Sequence, residues 1–451
     1  MHTHIRNAHV ISMDIAGDFT GDILITDDRI AALGAGLHAP ADAQVIDAAG
    51  FIAIPGLINA HMHTWQTALR GVASNWTLLE YFKHVHAGLA TVFRPEDIGI
   101  ANLVGALNQL NCGTTTLVDW CHNNPTPAHT DAAIDGLLAS GIRAAFFHGS
   151  PKPDPKPGEK PFWEVPHPRA EVARLLRDRL PSKDGLVTLG LAILGPHYST
   201  LDVALADFAL AKEFGLIASM HQGGGPAKTL DGWERLEAAG LLGDHINIVH
   251  GNNLSDAQLK RFVELGMSFS LTPENEMAQG HGHPITGRLR ALGAQPTLGV
   301  DLESVLSGDM FTVARMALAM QRTLDNAAYR AAHGTIPDTS TIPVREALAW
   351  VTTEGAKMLK MSDKIGSLAV GKQADLVLLD ARQLNMAPVH DPVAAVVMQT
   401  SLANVDSVMV AGQWKKRHGK LLHSGIAALQ AQLQASGVRM LGELGLRTAA
   451  A

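Results

Sequence analysis

The strongest limit on how this chain can fold is an alternation that runs through its middle. Seven short apolar segments, TTTLVDW, IRAAFFHG, VTLGLAILGP, LIASMHQ, INIVHGN, MSFSLTP and PTLGVD, are separated by longer stretches of helical period. Short apolar strands that alternate with helices build parallel βα units. The apolar run over residues 51–61 supplies an eighth strand, and eight is the number that closes a (β/α)8 barrel of the TIM type. Outside this block the texture changes. Residues 8–13, 21–26 and 44–48 alternate between Gly, Asp and Ala-Pro turns, and residues 365–380 and 405–412 repeat that pattern far along the chain. The expected fold is therefore α/β, with a barrel over residues 55–364 interrupting a small β-sandwich domain made of residues 1–54 and 365–422. Residues 423–451 read as a C-terminal helix and a frayed tail.

Composition narrows the function. Apolar residues make up 46% of the 451 and charged residues 18%, which suits a large core and not a disordered or membrane-spanning chain. With 36 Lys plus Arg against 43 Asp plus Glu, the net charge is −7, and no Lys/Arg block marks a nucleic-acid or anionic-lipid surface. Small-molecule chemistry is the expectation. Two cysteines, Cys112 and Cys121, are too few for a disulfide framework, and the N-terminal MHTHIRNAHVISMD lacks the pattern of a secretory signal, so a cytoplasmic location is expected. The proline-rich segment 151–168 follows the strand that carries His148, and it reads as a long loop beside the barrel mouth, placed either as a lid or as a solvated insertion.

The 22 histidines point to the chemistry, because several close apolar runs. His61 and His63 stand two apart, so in a strand they share a face. His221, His250 and Asp301 each end a predicted strand. The C-terminal strand ends of a barrel are where its active site forms. Imidazole and carboxylate donors with one position left open suit a hydrolytic Zn²⁺, and the same set suits Fe²⁺ or Mn²⁺.

The ordered series PGLINAHMH, NCGTTTLVDW, MHQ, VHGNNLSD, LGVD and IGSLAVGKQADLVLLD resembles the amidohydrolase superfamily. The likeness is to the branch with triazine hydrolases, cytosine and guanine deaminases and S-adenosylhomocysteine deaminase. That resemblance implies metal ligands His61, His63, His221 and Asp301, and a His250 that touches the substrate or the attacking water. It also implies hydrolysis of a non-peptide C–N bond, with Asp301 acting first as base and then as acid. Two-metal members place a bridging lysine on the fourth strand, and VTLGLAILGP has none. One divalent ion, zinc or else iron, is expected, with a small nitrogen-containing substrate and a homo-oligomer in keeping with relatives.

One departure affects the mechanism. The branch usually carries His-x-x-Glu after strand five, and here the segment is His221-Gln222-Gly223-Gly224. A glycine cannot relay a proton, and Gln222 can only hydrogen-bond. Glu276 is the expected substitute acid, ahead of Glu274 and Glu303. Trp65, Gln66, Trp120, His197, Gln222 and His250 are the expected substrate contacts. Deamination of a small N-heterocycle comes first. Hydrolysis of an amide, lactam, urea or halogenated ring is the alternative, because Asp301 alone suffices for it. A metal-free binding protein is a remote third.

Overall fold

The computed structural model describes residues 1–446. The N-terminal strands are β1 (His2–Ile11), β2 (Asp18–Thr26), β3 (Arg29–Gly34), β4 (Gln44–Asp47) and β5 (Phe51–Pro55). Eight strands follow: β6 (Leu57–Met62), β7 (Thr114–Cys121), β8 (Arg143–Gly149), β9 (Val187–Ala192), β10 (Ala218–Gln222), β11 (Ile246–His250), β12 (Ser268–Leu271) and β13 (Thr297–Leu298). Late in the chain come β14 (Leu376–Asp380), β15 (Val405–Val410), β16 (Gln413–Arg417) and β17 (Lys420–Leu421). Strands β6 to β13 pair in sequence order, all parallel, as the alternation requires. The other nine form one mixed sheet in the order β17-β16-β15-β14-β5-β1-β2-β3, with β4 beside β1. It has its own apolar cluster, including Ile5, Val10, Ile23, Ala53, Leu376 and Met409.

The run over residues 51–61 is not one strand. Phe51–Pro55 pairs antiparallel with β14 in the small sheet, and Leu57–Met62 opens the barrel. The chain crosses between the sheets at Gly56, where a Cβ would overlap the Thr115 side chain. Both halves are buried, so the run is uniformly apolar and its hydropathy does not show the break.

The barrel closes at its site. Strand β13 is only two residues long, and the seam back to β6 is a single parallel bridge between Met62 and Asp301. Asp301 N donates to His61 O at 3.0 Å, and His63 N donates to Asp301 O at 2.8 Å. Three expected ligands are therefore tied by their own backbone.

A buried ion pair joins the two sheets. Arg143, at the start of β8, donates from Nε to Asp375 Oδ2 at 2.9 Å and from a terminal nitrogen to Oδ1 at 3.2 Å. Asp375 Oδ1 also accepts from Ala411 N at 2.7 Å. Removing Asp375 leaves the buried Arg143 charge and the Ala411 N–H without their acceptor, so Asp375→Ala is expected to destabilise the protein by about 3–5 kcal/mol. Calorimetry of Asp375→Ala against the double Arg143→Met/Asp375→Leu checks this, since the double variant leaves no unpaired charge and should melt higher.

The segment 151–168 is irregular apart from a short turn at Phe162–Glu164. It lies over the barrel mouth, where Lys152 and Phe162 line cavities. The C-terminal helix, Ile426–Glu443, packs on the helix Pro95–Asn111, with Leu433 against Ile100, Ala101 and Val104. The small-residue tail expected to fray begins at Arg447 and lies outside the described residues. Among the described residues no helix is long and apolar enough to cross a membrane.

Candidate active site

His61, His63, His221 and Asp301 come from three different parts of the barrel and present ligand atoms that all lie within 4.8 Å of one another. His61 Nε2 is 3.3 Å and His63 Nε2 is 3.5 Å from Asp301 Oδ1. Donors about 2.0–2.2 Å from one ion sit roughly 3.3–3.5 Å apart, which the two distances to Asp301 match. Both nitrogens of His61 and Nδ1 of His221 are buried without a hydrogen-bond partner. Orphaned imidazole nitrogens aimed at a carboxylate are what a divalent ion would satisfy.

Neighbouring groups set the donor states. His63 Nδ1 is 2.7 Å from Trp120 O. A carbonyl only accepts, so Nδ1 carries the proton and Nε2 keeps its lone pair for a ligand. Burial pushes His63 down to about 3, and it lowers His61 and His221 as well. All three imidazoles are neutral at pH 7 and bind a cation without losing a proton. Burial alone would raise the Asp301 carboxyl, but His61, His250 and His63 together hold it well below the usual carboxylate range. Asp301 Oδ2 accepts from Asn275 Nδ2 at 2.7 Å and Thr272 Oγ1 at 3.2 Å.

His250 Nε2 stands 3.8 Å from Asp301 Oδ2. Its other nitrogen, Nδ1, donates to Glu276 Oε1 at 3.2 Å. Burial works against the imidazolium, yet Glu276 and Asp301 outweigh it and raise His250 above its ordinary value. His250 and Asp301 also hold positive φ, +66° and +71°. Each such residue costs about 1–3 kcal/mol, strain that clusters at functional sites.

The other expected site residues divide. Trp120 is buried beside the ligands, its ring 4.3 Å from that of His221, and its Nε1 donates to Ser219 Oγ at 3.1 Å. It lines the cavity under the proline-rich loop. Trp65, Gln66, His197 and Gln222 are off the central cavity. After His63 the chain turns into a 3-10 helix, Thr64–Leu69, so Trp65 leaves the strand face and packs on Phe93. Gln66 donates to Tyr81 Oη at 2.6 Å and accepts from Ser304 Oγ at 2.7 Å, so it positions Tyr81 on the cavity wall. Gln222 follows His221 in a strand, and a period of two turns it away, towards Asn253 and Trp233. His197 lies 3.4 Å from Gln222 Nε2, behind the same wall.

Glu276 also differs from expectation. Its carboxylate accepts from His250, from Thr272 N at 2.8 Å and from Asn252 Nδ2 at 3.2 Å, and it does not line the central cavity. It stands behind His250 and holds its Nδ1, instead of facing the cavity as an acid would. Glu303 is held by Arg70 and Asn108, away from the site, and Glu274 is off the wall. Asp119 holds Thr64 N and Asn102, just beyond His63, and touches no ligand imidazole. Replacing Glu276 by leucine is expected to lower kcat by about 10–100-fold with zinc content kept, and glutamine to restore part of the loss. A change confined to KM would remove Glu276 from this role.

Among the described residues no second carboxylate lines the central cavity in place of the glutamate that the resemblance puts at position 224. Gly224 has φ +82°, and a Cβ there would lie 2.8 Å from Leu78 Cδ2 and 3.0 Å from Tyr198 Oη. Both side chains line the central cavity, where Asp301 is the single carboxylate among the described residues. Gly224→Ala is expected to destabilise the protein by about 1–3 kcal/mol through the strained backbone, seen as a lower melting temperature.

Sequence reasoning missed much of the wall. His86 and His122 meet at 3.3 Å, and His281, Gln279, Tyr198 and Lys152 face the same space. Of these, only Lys152 lies in a segment that the sequence places at the mouth, the proline-rich loop. The enclosed volume is about 30 Å³, room for a water or two. An outer cavity of about 330 Å³ adjoins it across Phe82, His86, Lys152 and Tyr198.

A parallel barrel with a three-histidine, one-aspartate donor group at its mouth defines a metal-dependent hydrolase. A model of the Amidohydrolase family matches residues 52–415. The chain is 31% identical over 466 aligned residues to the 8-oxoguanine deaminase of Pseudomonas aeruginosa, covering 97% of this chain and 99% of that protein. It is 28% identical to the 5-methylthioadenosine/S-adenosylhomocysteine deaminase of Desulforudis audaxviator, covering 94% and 95%. Its fold matches that of atrazine chlorohydrolase from Arthrobacter aurescens TC1 complexed with zinc, with a TM-score of 0.83, 22% identity and coverage of 96% and 100%. This chain belongs to the amidohydrolase family.

Proposed function

We propose that this protein is a metal-dependent aminohydrolase that removes an amino group from a small N-heterocycle as ammonia. The observation that carries the reading is the convergence of His61, His63, His221, His250 and Asp301 on one buried point at the barrel mouth. The kinship with deaminases over nearly the whole chain gives the direction of the chemistry. A divalent ion held by His61, His63, His221 and Asp301 supplies Lewis acidity, which lowers the pKa of water from about 15.7 towards ~7. One ion is the count proposed, since the fourth barrel strand, β9, carries no lysine. Zinc is the metal proposed, because three imidazoles and one carboxylate match its preference.

The chain's own residues do the rest. Asp301 takes the proton of the attacking water and returns it to the leaving nitrogen. Asn275 and Thr272 aim its second oxygen, while His250, braced by Glu276, stands beside Asp301 to orient the attacking water and steady the charge that develops on attack. The barrel, residues 55–364, carries the chemistry, and the small sheet from both ends of the chain supports it.

A second reading is favoured by Gly224. Without a glutamate to protonate a ring nitrogen, hydrolysis of an amide, lactam or halogenated ring needs only Asp301. One assay separates the two. Zinc-loaded protein is incubated with aminopurines, aminopyrimidines, pterins and aminotriazines, and ammonia is measured beside chloride and alkylamine. Ammonia from an aromatic amine supports the first reading. Its absence from every one, with another leaving group released, overturns it in favour of the second.

A further inference from the structure

Three cavities share one side chain. Lys152 lines the central cavity, the outer cavity of about 330 Å³ and a third of about 220 Å³ beneath the proline-rich loop. It is placed there by its neighbours in sequence. Pro151 and Pro153 flank it, so residues 150 and 152 both precede proline and are confined to extended backbone. Its Nζ stands 5.3 Å from the centre of the Trp120 ring and 5.6 Å from that of Tyr198. Packed against these rings, the side chain carries its ammonium to the cavity wall. Among the described residues no carboxylate forms an ion pair with it, Asp154 of the outer cavity included.

Among the described residues the central cavity offers Lys152 no free carboxylate; the rest of its wall is polar and apolar groups. Asp301, its one carboxylate, belongs to the metal-binding set. A half-buried ammonium that has lost water and has no counter-charge is costly, and a bound anion removes that cost. The same charge answers the absence of a glutamate at Gly224. A ring attacked without protonation gains negative charge, and a fixed cation beside it lowers the energy of that state.

We propose that Lys152 is the specificity-determining cation of this site and that the substrate is an oxo-substituted N-heterocycle bound as its anion. This rests on the reading of the cavity as the substrate site. The ammonium pairs with the oxo oxygen or the deprotonated ring nitrogen of such a molecule, while the exocyclic amine is turned to the histidines. Neutral heterocycles of the same shape lack the partner and bind more weakly.

Binding measured without turnover tests this. Zinc-loaded wild type, Lys152→Met and Lys152→Arg are titrated calorimetrically with two matched pairs at pH 7: urate against hypoxanthine, and barbiturate against uracil. The first of each pair is an anion and the second is neutral. In wild type the anion of at least one pair is expected to bind tighter than its partner by about ten- to a hundredfold. Lys152→Met should erase that preference and Lys152→Arg keep part of it, with zinc content and melting temperature unchanged. No anion preference in wild type, or one that survives in Lys152→Met, overturns the proposal. Zinc content separates a true loss from a damaged centre. Ammonia release is scored independently, so a Lys152-dependent preference in a protein that deaminates nothing would spare this inference and sink the deaminase reading.

Discussion

Replacing Asp301 by asparagine is expected to reduce kcat/KM by about 10³-fold or more, the largest catalytic effect of any single change in this protein. The amide is nearly the same size, so packing survives, but its hydrogen-bonding sense does not. Asp301 Oδ1 faces the Nε2 atoms of His61 and His63, and Oδ2 accepts from Asn275 and Thr272. With its NH2 towards Asn275, an asparagine sets donor against donor. Turned the other way, the NH2 points at the ligand lone pairs and cannot coordinate. Either arrangement lacks a base for the attacking water. Steady-state kinetics together with elemental analysis checks this. A variant that keeps stoichiometric zinc and turns over within tenfold of wild type would remove Asp301 from the mechanism.

Stripping the metal with a chelator is expected to abolish activity, and stoichiometric zinc to restore it. The effect should also appear in stability. An ion that binds only the folded state adds about 4 kcal/mol at a free concentration a thousand times its Kd. The stripped protein should therefore melt several degrees lower. The cost falls on the site, where His61 and His221 nitrogens are buried with no other partner and His250 and Asp301 hold left-handed backbone. Calorimetry with and without zinc measures it. A purified protein free of metal, with activity and melting temperature both indifferent to zinc, would end the metal-dependent account.

What the sequence made legible follows from period and position. A barrel strand announces itself as a short apolar run, and the residue at its C-terminal end is at the mouth whatever the loops do. His61, His221, His250 and Asp301 could therefore be placed without coordinates. The same rule of two also turns Gln222 outward, because His221 faces in. The domain boundary set at residues 54–55 falls close to the crossing at Gly56, but the run over 51–61 still read as one strand, since both halves are buried and equally apolar. Trp65 was misplaced for a related reason: nothing in HTWQT marks the change from strand to 3-10 helix after His63.

The amino-acid order by itself determined the barrel, the small sheet drawn from both ends of the chain, the three-histidine, one-aspartate donor group and the glycine at position 224, because each is written in local periodicity or in residue identity at a strand end. Only the tertiary structure decided that Glu276 stands behind His250, that Leu78 and Tyr198 flank Gly224, and that Lys152 reaches the centre from a proline-rich loop. Those placements depend on how loops far apart in sequence pack across the barrel mouth, and no local pattern encodes the distance between them.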